Sequence, residues 1–239
     1  SRGLGDVYKR QVPRQCVQSY IQRMTDEYFS SDDSMPSVVD MEILIVGAHG
    51  TIGTAVTEHF RALGHSVTTV GRTRGDIRCD MADDVQLEAM WRSVGRTDAV
   101  VCAAGEVPFA PFEKLTTADF ADAWNRKALA QINLVRMGVD NVAPDGSFAL
   151  ISGIPSRDPV MTGTAAATVN GAVEAFVRAA AIEIAPQRIN VVSPSVLTES
   201  LHAFDASFPG FPPVDAADIA RAFRKCVEGG NTGKVIELP

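Results

Sequence analysis

The sequence predicts a doubly wound parallel α/β sheet, three layers deep, forming a single domain over residues 41–239. Three observations lead there. Met41–Gly53 reads MEILIVGAHGTIG, an apolar run that passes directly into glycines at 47, 50 and 53. Short β-branched or apolar runs then alternate with longer segments of helical periodicity up to the C-terminus, the pattern of strand and crossover helix. No internal repeat or linker interrupts residues 41–239.

Taken in order, Ile43–Val46 is apolar at every position, as expected of a strand buried on both faces. Gly47-Ala48-His49-Gly50-Thr51-Ile52-Gly53 is GxxGxxG, and Thr54–Leu63 has helical spacing, so strand, glycine turn and helix follow in the order of a Rossmann-type dinucleotide-binding turn. Gly47 permits a sharp turn, Gly50 lets backbone N–H groups approach a pyrophosphate, and Gly53 lets the helix pack close to the strand. A tight strand-to-helix connection that binds nothing has the same pattern. Ser66–Val70 is a second strand running into Gly71-Arg72-Thr73-Arg74, where many NAD-binding proteins place an acidic residue. Arg72 lies about 20 residues past the glycines, where a guanidinium can pair with a 2′-phosphate, so NADP is favoured over NAD, with Arg74 and His49 assisting; both arginines also read as solvated turn residues.

Asp76–Met81 reads as a third strand bearing Asp80, Asp83–Val94 as a helix and Ala99–Cys102 as a fourth strand. The small residues Cys102-Ala103-Ala104-Gly105 leave room for a flat ring. A long helix over Thr117–Val139, a strand over Ser147–Ser152, a second long helix over Thr164–Ile184 and a strand over Arg188–Ser193 follow, joined by right-handed crossovers. After a less regular stretch with Phe204, Phe208 and Phe211 come a helix at Asp215–Glu228 and a last strand at Lys234–Leu238.

Composition narrows the function. A net charge of −7 and a pI near 5.1 supply no basic stripe for nucleic acid or an anionic membrane. No apolar stretch reads as a bilayer span. Cys16, Cys79, Cys102 and Cys226 are scattered without ligand spacing, so neither a metal site nor a disulfide framework is indicated, and a reducing cytoplasm fits. Residues 1–40 lack periodicity and are expected to be a disordered leader, with at most a short helix around Val17–Tyr28. Within it, Asp6–Gln11 (DVYKRQ) resembles the translation of a transposase end used as a sequencing adapter. Residues 1–11 are therefore expected to be artefact, with Met41 as the natural start and Met24 and Met35 as alternatives.

Several motifs together resemble the short-chain dehydrogenase/reductase family across residues 41–239: the glycine turn, Asp80, CAAG at 102–105, NGAVEAF at 170–176, INVVSP at 189–194 and NTGKVIEL at 231–238. The resemblance implies a carbonyl or alcohol oxidoreductase and a homo-oligomer, dimer or tetramer, paired through its two long helices. It also implies a set of cofactor contacts. In the first loop these are Gly47, His49, Gly50, Thr51, Ile52 and Gly53, and after the second and third strands they are Arg72, Thr73, Asp80 and Met81. Farther along they are Ala103, Ala104, Gly105, Ser152, Pro194, Val196 and Leu197.

The family's chemistry uses a tyrosine as proton donor, a lysine four residues later, a serine that fixes the substrate oxygen and an asparagine on the preceding long helix. Laying NGAVEAF on its counterpart puts Ala166 at the tyrosine position, Asn170 at the lysine position and Gly153 at the serine position, with Lys127 about where the asparagine falls. The only tyrosines are Tyr8, Tyr20 and Tyr28, so no shift of register restores the acid within 41–239. The chain looks like a Tyr-less bacterial subgroup. The family's Pro-Gly is Pro194-Ser195, and its threonine near the carboxamide is Glu199.

General acid catalysis contributes about 10²–10⁴-fold, less than positioning can supply, so a missing tyrosine weakens an oxidoreductase without excluding one. Lys127, Glu199 and His202 are the candidate replacement donors, each also readable as a solvated surface group. Ser152, Thr162, Thr164 and Thr168 can bond a substrate but are too weakly acidic to replace tyrosine. Phe204, Phe208 and Phe211 line a pocket or pack a lid. Two functions stay open: an NADP-dependent oxidoreductase with a replaced tetrad, and a catalytically silent dinucleotide-binding regulator or scaffold.

Overall fold

The computed structural model describes residues 40–239. The expectations for the leader, including the short helix around residues 17–28 and the origin of residues 1–11, lie outside the described residues. Seven parallel strands form one sheet in the order β3-β2-β1-β4-β5-β6-β7: β1 Glu42–Val46, β2 Ser66–Gly71, β3 Ile77–Arg78, β4 Thr97–Cys102, β5 Val142–Ile151, β6 Arg188–Ser193 and β7 Val235–Glu237. The helices between them are α1 Thr51–Ala62, α2 Asp84–Val94, α3 Thr117–Ala123, α4 Ala130–Gly138, α5 Thr164–Glu183, α6 Leu201–Phe204 and α7 Ala216–Glu228.

Alternation along the strands divides the core in two. Leu44 and Val46 of β1 join Val100, Phe148 and Val191 on one face, where Leu87, Trp91, Leu134 and Val173 from α2, α4 and α5 cover them. Ile43 and Ile45 join Val101, Ala149 and Val192 on the other, beneath Val56 and Phe60 of α1 and Ile219 and Phe223 of α7. Both layers are required because a parallel sheet is apolar on both sides.

Register sets where the loops emerge. Val46 pairs with Val70 on one side and Cys102 on the other, so β2, β1 and β4 end level and their following loops stand side by side. Ile151 pairs with Val192, bringing the loops after β5 and β6 together in the same way.

Four expectations change. The long helix over 117–139 is interrupted: between α3 and α4, Trp124–Leu129 forms a π-helical turn. Such a turn takes in one residue more than an α turn, and no Gly or Pro in the sequence marks it. Strand β5 begins at Val142 rather than Ser147, because the Pro144-Asp145-Gly146 segment, which reads as a turn, is carried as an irregularity in the pairing with β4. Strand β3 is only Ile77–Arg78, with Asp76 held back by Thr69, whose N–H and hydroxyl donate to its carboxylate at 2.9 and 2.6 Å. The reading of no membrane-spanning stretch also needs amending: α5 is long and apolar enough to cross a bilayer by composition, but alanines raise its hydropathy and Ala165, Val169, Val173 and Val177 are buried in the core.

The glycine turn shows what each glycine does. Gly47 has φ +81°, and a Cβ there would stand 2.7 Å from Ala104 Cβ. A Cβ at Gly53 would collide with the Gly47 carbonyl oxygen. Gly50 has φ −78° and no neighbour nearer than 3.7 Å, so the fold itself makes no demand for glycine there. Chemical denaturation should therefore show Gly53→Ala destabilised by roughly 1–3 kcal/mol through overpacking, and Gly50→Ala by under about 1 kcal/mol, the weaker N-cap preference alone.

Candidate active site

Two clefts open along the carboxyl ends of the strands and meet at Ala103, Ala104 and Gly105, which line both. The first, about 580 Å³, lies over β1 at the point where the chain order reverses between β2 and β4. Its floor is Gly47, His49 and Gly50, and its walls are Gly71–Arg74, Cys79–Ala82, Ala103–Glu106 and Arg126. Helix α1 begins here with no side-chain cap and no acidic residue in its first turn, which leaves its first N–H groups without side-chain acceptors. The reciprocal Asp76–Thr69 hydrogen bonds anchor the turn that carries Arg72. They also hold the Asp76 carboxyl below the ordinary aspartate range. Arg74 Nη2 donates to the His49 carbonyl at 3.2 Å, and Arg72 Nη2 donates to Glu106 Oε1 at 3.3 Å. His49 Nε2 is buried without a partner.

The second cleft, about 220 Å³, opens between the loops after β4, β5 and β6 and has mostly apolar walls, with Ile52, Val107, Ile154, Val196 and Leu197 among them. Phe109 closes it against Phe204 and Phe208, ring centroids 5.6 and 6.0 Å away. Lys127, in the π-helical turn, is buried along its length and passes over Gly105, where a Cβ would come 2.8 Å from Lys127 Cγ. Its Nζ donates to the Ser152 carbonyl at 3.3 Å. Loss of water around the ammonium pulls its pKa from 10.5 down to about 8, opposed weakly by the Cys102 thiol.

Gly153, Ala166 and Asn170 all line this cleft. Asn170 Nδ2 reaches the Gly153 carbonyl at 3.4 Å while its Oδ1 has no partner, and Ser195 Oγ is likewise buried and unpaired. Beneath them, Glu174 Oε1 accepts the hydroxyls of Ser152 at 2.9 Å, Ser156 at 2.6 Å and Ser193 at 3.3 Å, tying the loops after β5 and β6 to α5.

The predicted cofactor residues divide between the clefts. Gly47, His49, Gly50, Arg72, Thr73, Asp80 and Met81 line the first, and Ile52, Ser152, Pro194, Val196 and Leu197 the second. Thr51 and Gly53 line neither. The proton-donor candidates separate as well. Lys127 is inside, whereas the Glu199 carboxylate accepts the Ala216 N–H at 3.1 Å at the start of α7, and His202 is exposed on α6; neither lines a cleft. Thr162, Thr164, Thr168 and Phe211 also stay outside. Glu106, Arg126, Phe109 and Glu174 went unnoticed in the sequence. Position could have flagged only Glu106, which directly follows the CAAG stretch.

The site fits a nicotinamide dinucleotide on features of this chain alone. A glycine that packing does not need sits before an uncapped helix N-terminus, the combination that admits a pyrophosphate. Asn170 and Ser195, which line the second cleft, carry buried polar atoms that have no hydrogen-bond partner among the described residues.

Comparison with known proteins agrees. A family model described as enoyl-(acyl carrier protein) reductase matches residues 47–227. Hydroxynaphthalene reductase arp2 of Aspergillus fumigatus is 27% identical over 142 residues, 59% of this chain and 51% of that protein, so the chain spans about half the length of this relative. The crystal structure of lin1944 from Listeria innocua is similar with a TM-score of 0.81 and 43% identity, covering 83% of this chain and all of that one. A small-chain dehydrogenase solved in complex with NADPH has a TM-score of 0.75 at 22% identity, covering 83% of this chain and 96% of that one. The family match takes in both clefts and the helices that frame them, and this chain belongs to the short-chain dehydrogenase/reductase family.

Proposed function

We propose that the chain is an NADP(H)-dependent oxidoreductase of an atypical kind, in which Lys127 takes over the proton transfer that the family assigns to tyrosine. The observation that carries this reading is a buried lysine, with no carboxylate partner among the described residues, aimed into the cleft that shares Ala103, Ala104 and Gly105 with the nucleotide site. A dinucleotide held in the first cleft would supply the hydride chemistry at a substrate carbon. Lys127 Nζ donates a proton to the carbonyl oxygen in reduction and takes it back in oxidation, while the Ser152 carbonyl holds the ammonium in place. Asn170 Oδ1 and Ser195 Oγ accept hydroxyl or amide protons of the ligand, and Phe109, Phe204 and Phe208 exclude water. Arg72 takes the 2′-phosphate. The NADPH complex of a similarly folded dehydrogenase supports that cofactor choice. The substrate is a carbonyl or alcohol compound small enough for the second cleft.

A silent dinucleotide-binding regulator is the second reading. It is favoured by the absence of tyrosine from residues 41–239 and by Asn170 at the lysine position. NADPH binding combined with no turnover of any member of a carbonyl panel would select it.

In parallel fluorescence titrations NADPH should bind more tightly than NADH, and Arg72→Ala should weaken NADPH by about tenfold or more through loss of a charge-assisted contact. Unchanged NADPH affinity in that variant would refute the assignment.

Lys127→Met should lower carbonyl reduction by about 10²–10⁴-fold. In the wild type, reduction needs the protonated amine and should decline as pH rises through about 8, while oxidation needs the neutral amine and should rise over the same range. The stability consequence has a definite sign. Unfolded, the lysine keeps its proton to about 10.5, so between pH 8 and 10.5 the unfolded chain binds more protons and this group's contribution improves with pH. Below pH 8 its desolvation cost is fully present. Lys127→Met should thus raise stability at pH 7 by roughly 1–3 kcal/mol, with the gain shrinking toward pH 10.5.

A further inference from the structure

Arg72 and Glu106 come from loops whose strands are not neighbours. Arg72 follows β2 and Glu106 lies beyond the end of β4, with β1 between them. The two side chains therefore meet across two inter-strand spacings, about 9–10 Å, over the carboxyl end of β1. Arg72 Nη2 donates to Glu106 Oε1 at 3.3 Å, and both residues line the first cleft. The guanidinium assigned to the 2′-phosphate thus already has an anionic partner supplied by the chain.

We propose that this ion pair selects on the 2′ substituent of the dinucleotide, with Glu106 opposing the phosphate of NADPH and accepting the hydroxyl of NADH. The inference rests on the placement of Arg72 at the 2′ position. A phosphate there brings like charge within a hydrogen bond's reach of Glu106. Its side chain is 68% exposed and turns out to solvent, giving up only a weak surface pair.

A ribose hydroxyl carries no charge to draw Arg72 away, so the pair persists, and the carboxylate, which can only accept, takes the hydroxyl proton. That task falls to an acidic residue at the end of the second strand in many NAD-binding proteins. Here an arginine occupies that place and the carboxylate arrives from the β4 side instead. The other charged groups of the cleft are otherwise engaged: Asp80 Oδ1 accepts the Ala82 N–H at 3.1 Å, Arg126 Nε donates to Asp122 at 2.7 Å and Arg74 holds the His49 carbonyl.

The test is fluorescence titration of the full chain with NADPH and with NADH, in the wild type, Glu106→Ala and Glu106→Gln. Both variants alter an exposed side chain, and matching thermal midpoints would establish that the fold is retained. NADPH should bind about 3–10-fold tighter in both, because each removes the competing charge. NADH should bind about 3-fold weaker in Glu106→Ala, which loses the acceptor, and stay near wild type in Glu106→Gln, which keeps one. Equal shifts for the two dinucleotides, no shift in either, or weaker NADPH binding would overturn the selector. If NADPH and NADH bind the wild type and their ratio does not move in the variants, the selector alone falls. If neither binds the wild type, the assignment of the first cleft falls and takes the selector with it.

Discussion

The organisation of the site follows from one requirement on β1. It pairs in parallel with β2 along one edge and with β4 along the other, in a register that leaves all three carboxyl ends level. Neighbouring loops must then diverge above it, and the gap between them is the first cleft. The chain leaves β1 through a glycine turn and enters α1 so closely that a single added carbon at Gly53 would strike the turn's own carbonyl. The charged groups that line this cleft, from Arg72 after β2 to Glu106 after β4, are held at a distance fixed by strand spacing.

The second cleft is organised around burial of charge. Lys127 gives up most of its hydration for one hydrogen bond to a carbonyl, a costly arrangement that a protein selected for stability alone would have replaced. Glu174 is treated differently: three serine hydroxyls converge on one of its oxygens, so the carboxylate is solvated by the protein. Both buried groups are hydrogen-bonded to Ser152, which meets the lysine through its carbonyl and the glutamate through its hydroxyl. Motion of that one residue would disturb both.

The first cleft was largely legible in the sequence because its lining is encoded locally. The glycine spacing, the basic turn at 71–74 and the small residues at 102–105 are each contiguous, and each lines the first cleft. The fold was legible for the same reason, with errors confined to element ends, the π-helical turn at Trp124–Leu129 and the Pro144–Gly146 irregularity. The second cleft is assembled from distant segments. Lys127 could be placed only by family alignment, and nothing in the sequence separated it from Glu199 and His202, although one is buried, one caps a helix and one faces solvent. Glu174 was illegible because a lone acid on an alanine-rich helix looks like a solubilising residue until its serine partners are seen. The Arg72–Glu106 contact was hidden for a similar reason, since it joins residues 34 apart in sequence.

The wide turn at Trp124–Leu129 has one more consequence. It acts as a phase shifter between two stretches of α-helix, letting the face that α3 shows its surroundings and the face that α4 lays on the sheet be chosen independently. Removing one residue from it would restore ordinary winding while the stretches on either side kept their packing faces. The tip of residue 127 would then leave the cleft while the hydrophobic seams stayed intact. Such an indel would let this scaffold gain or lose a buried side chain over the second cleft without disturbing its core.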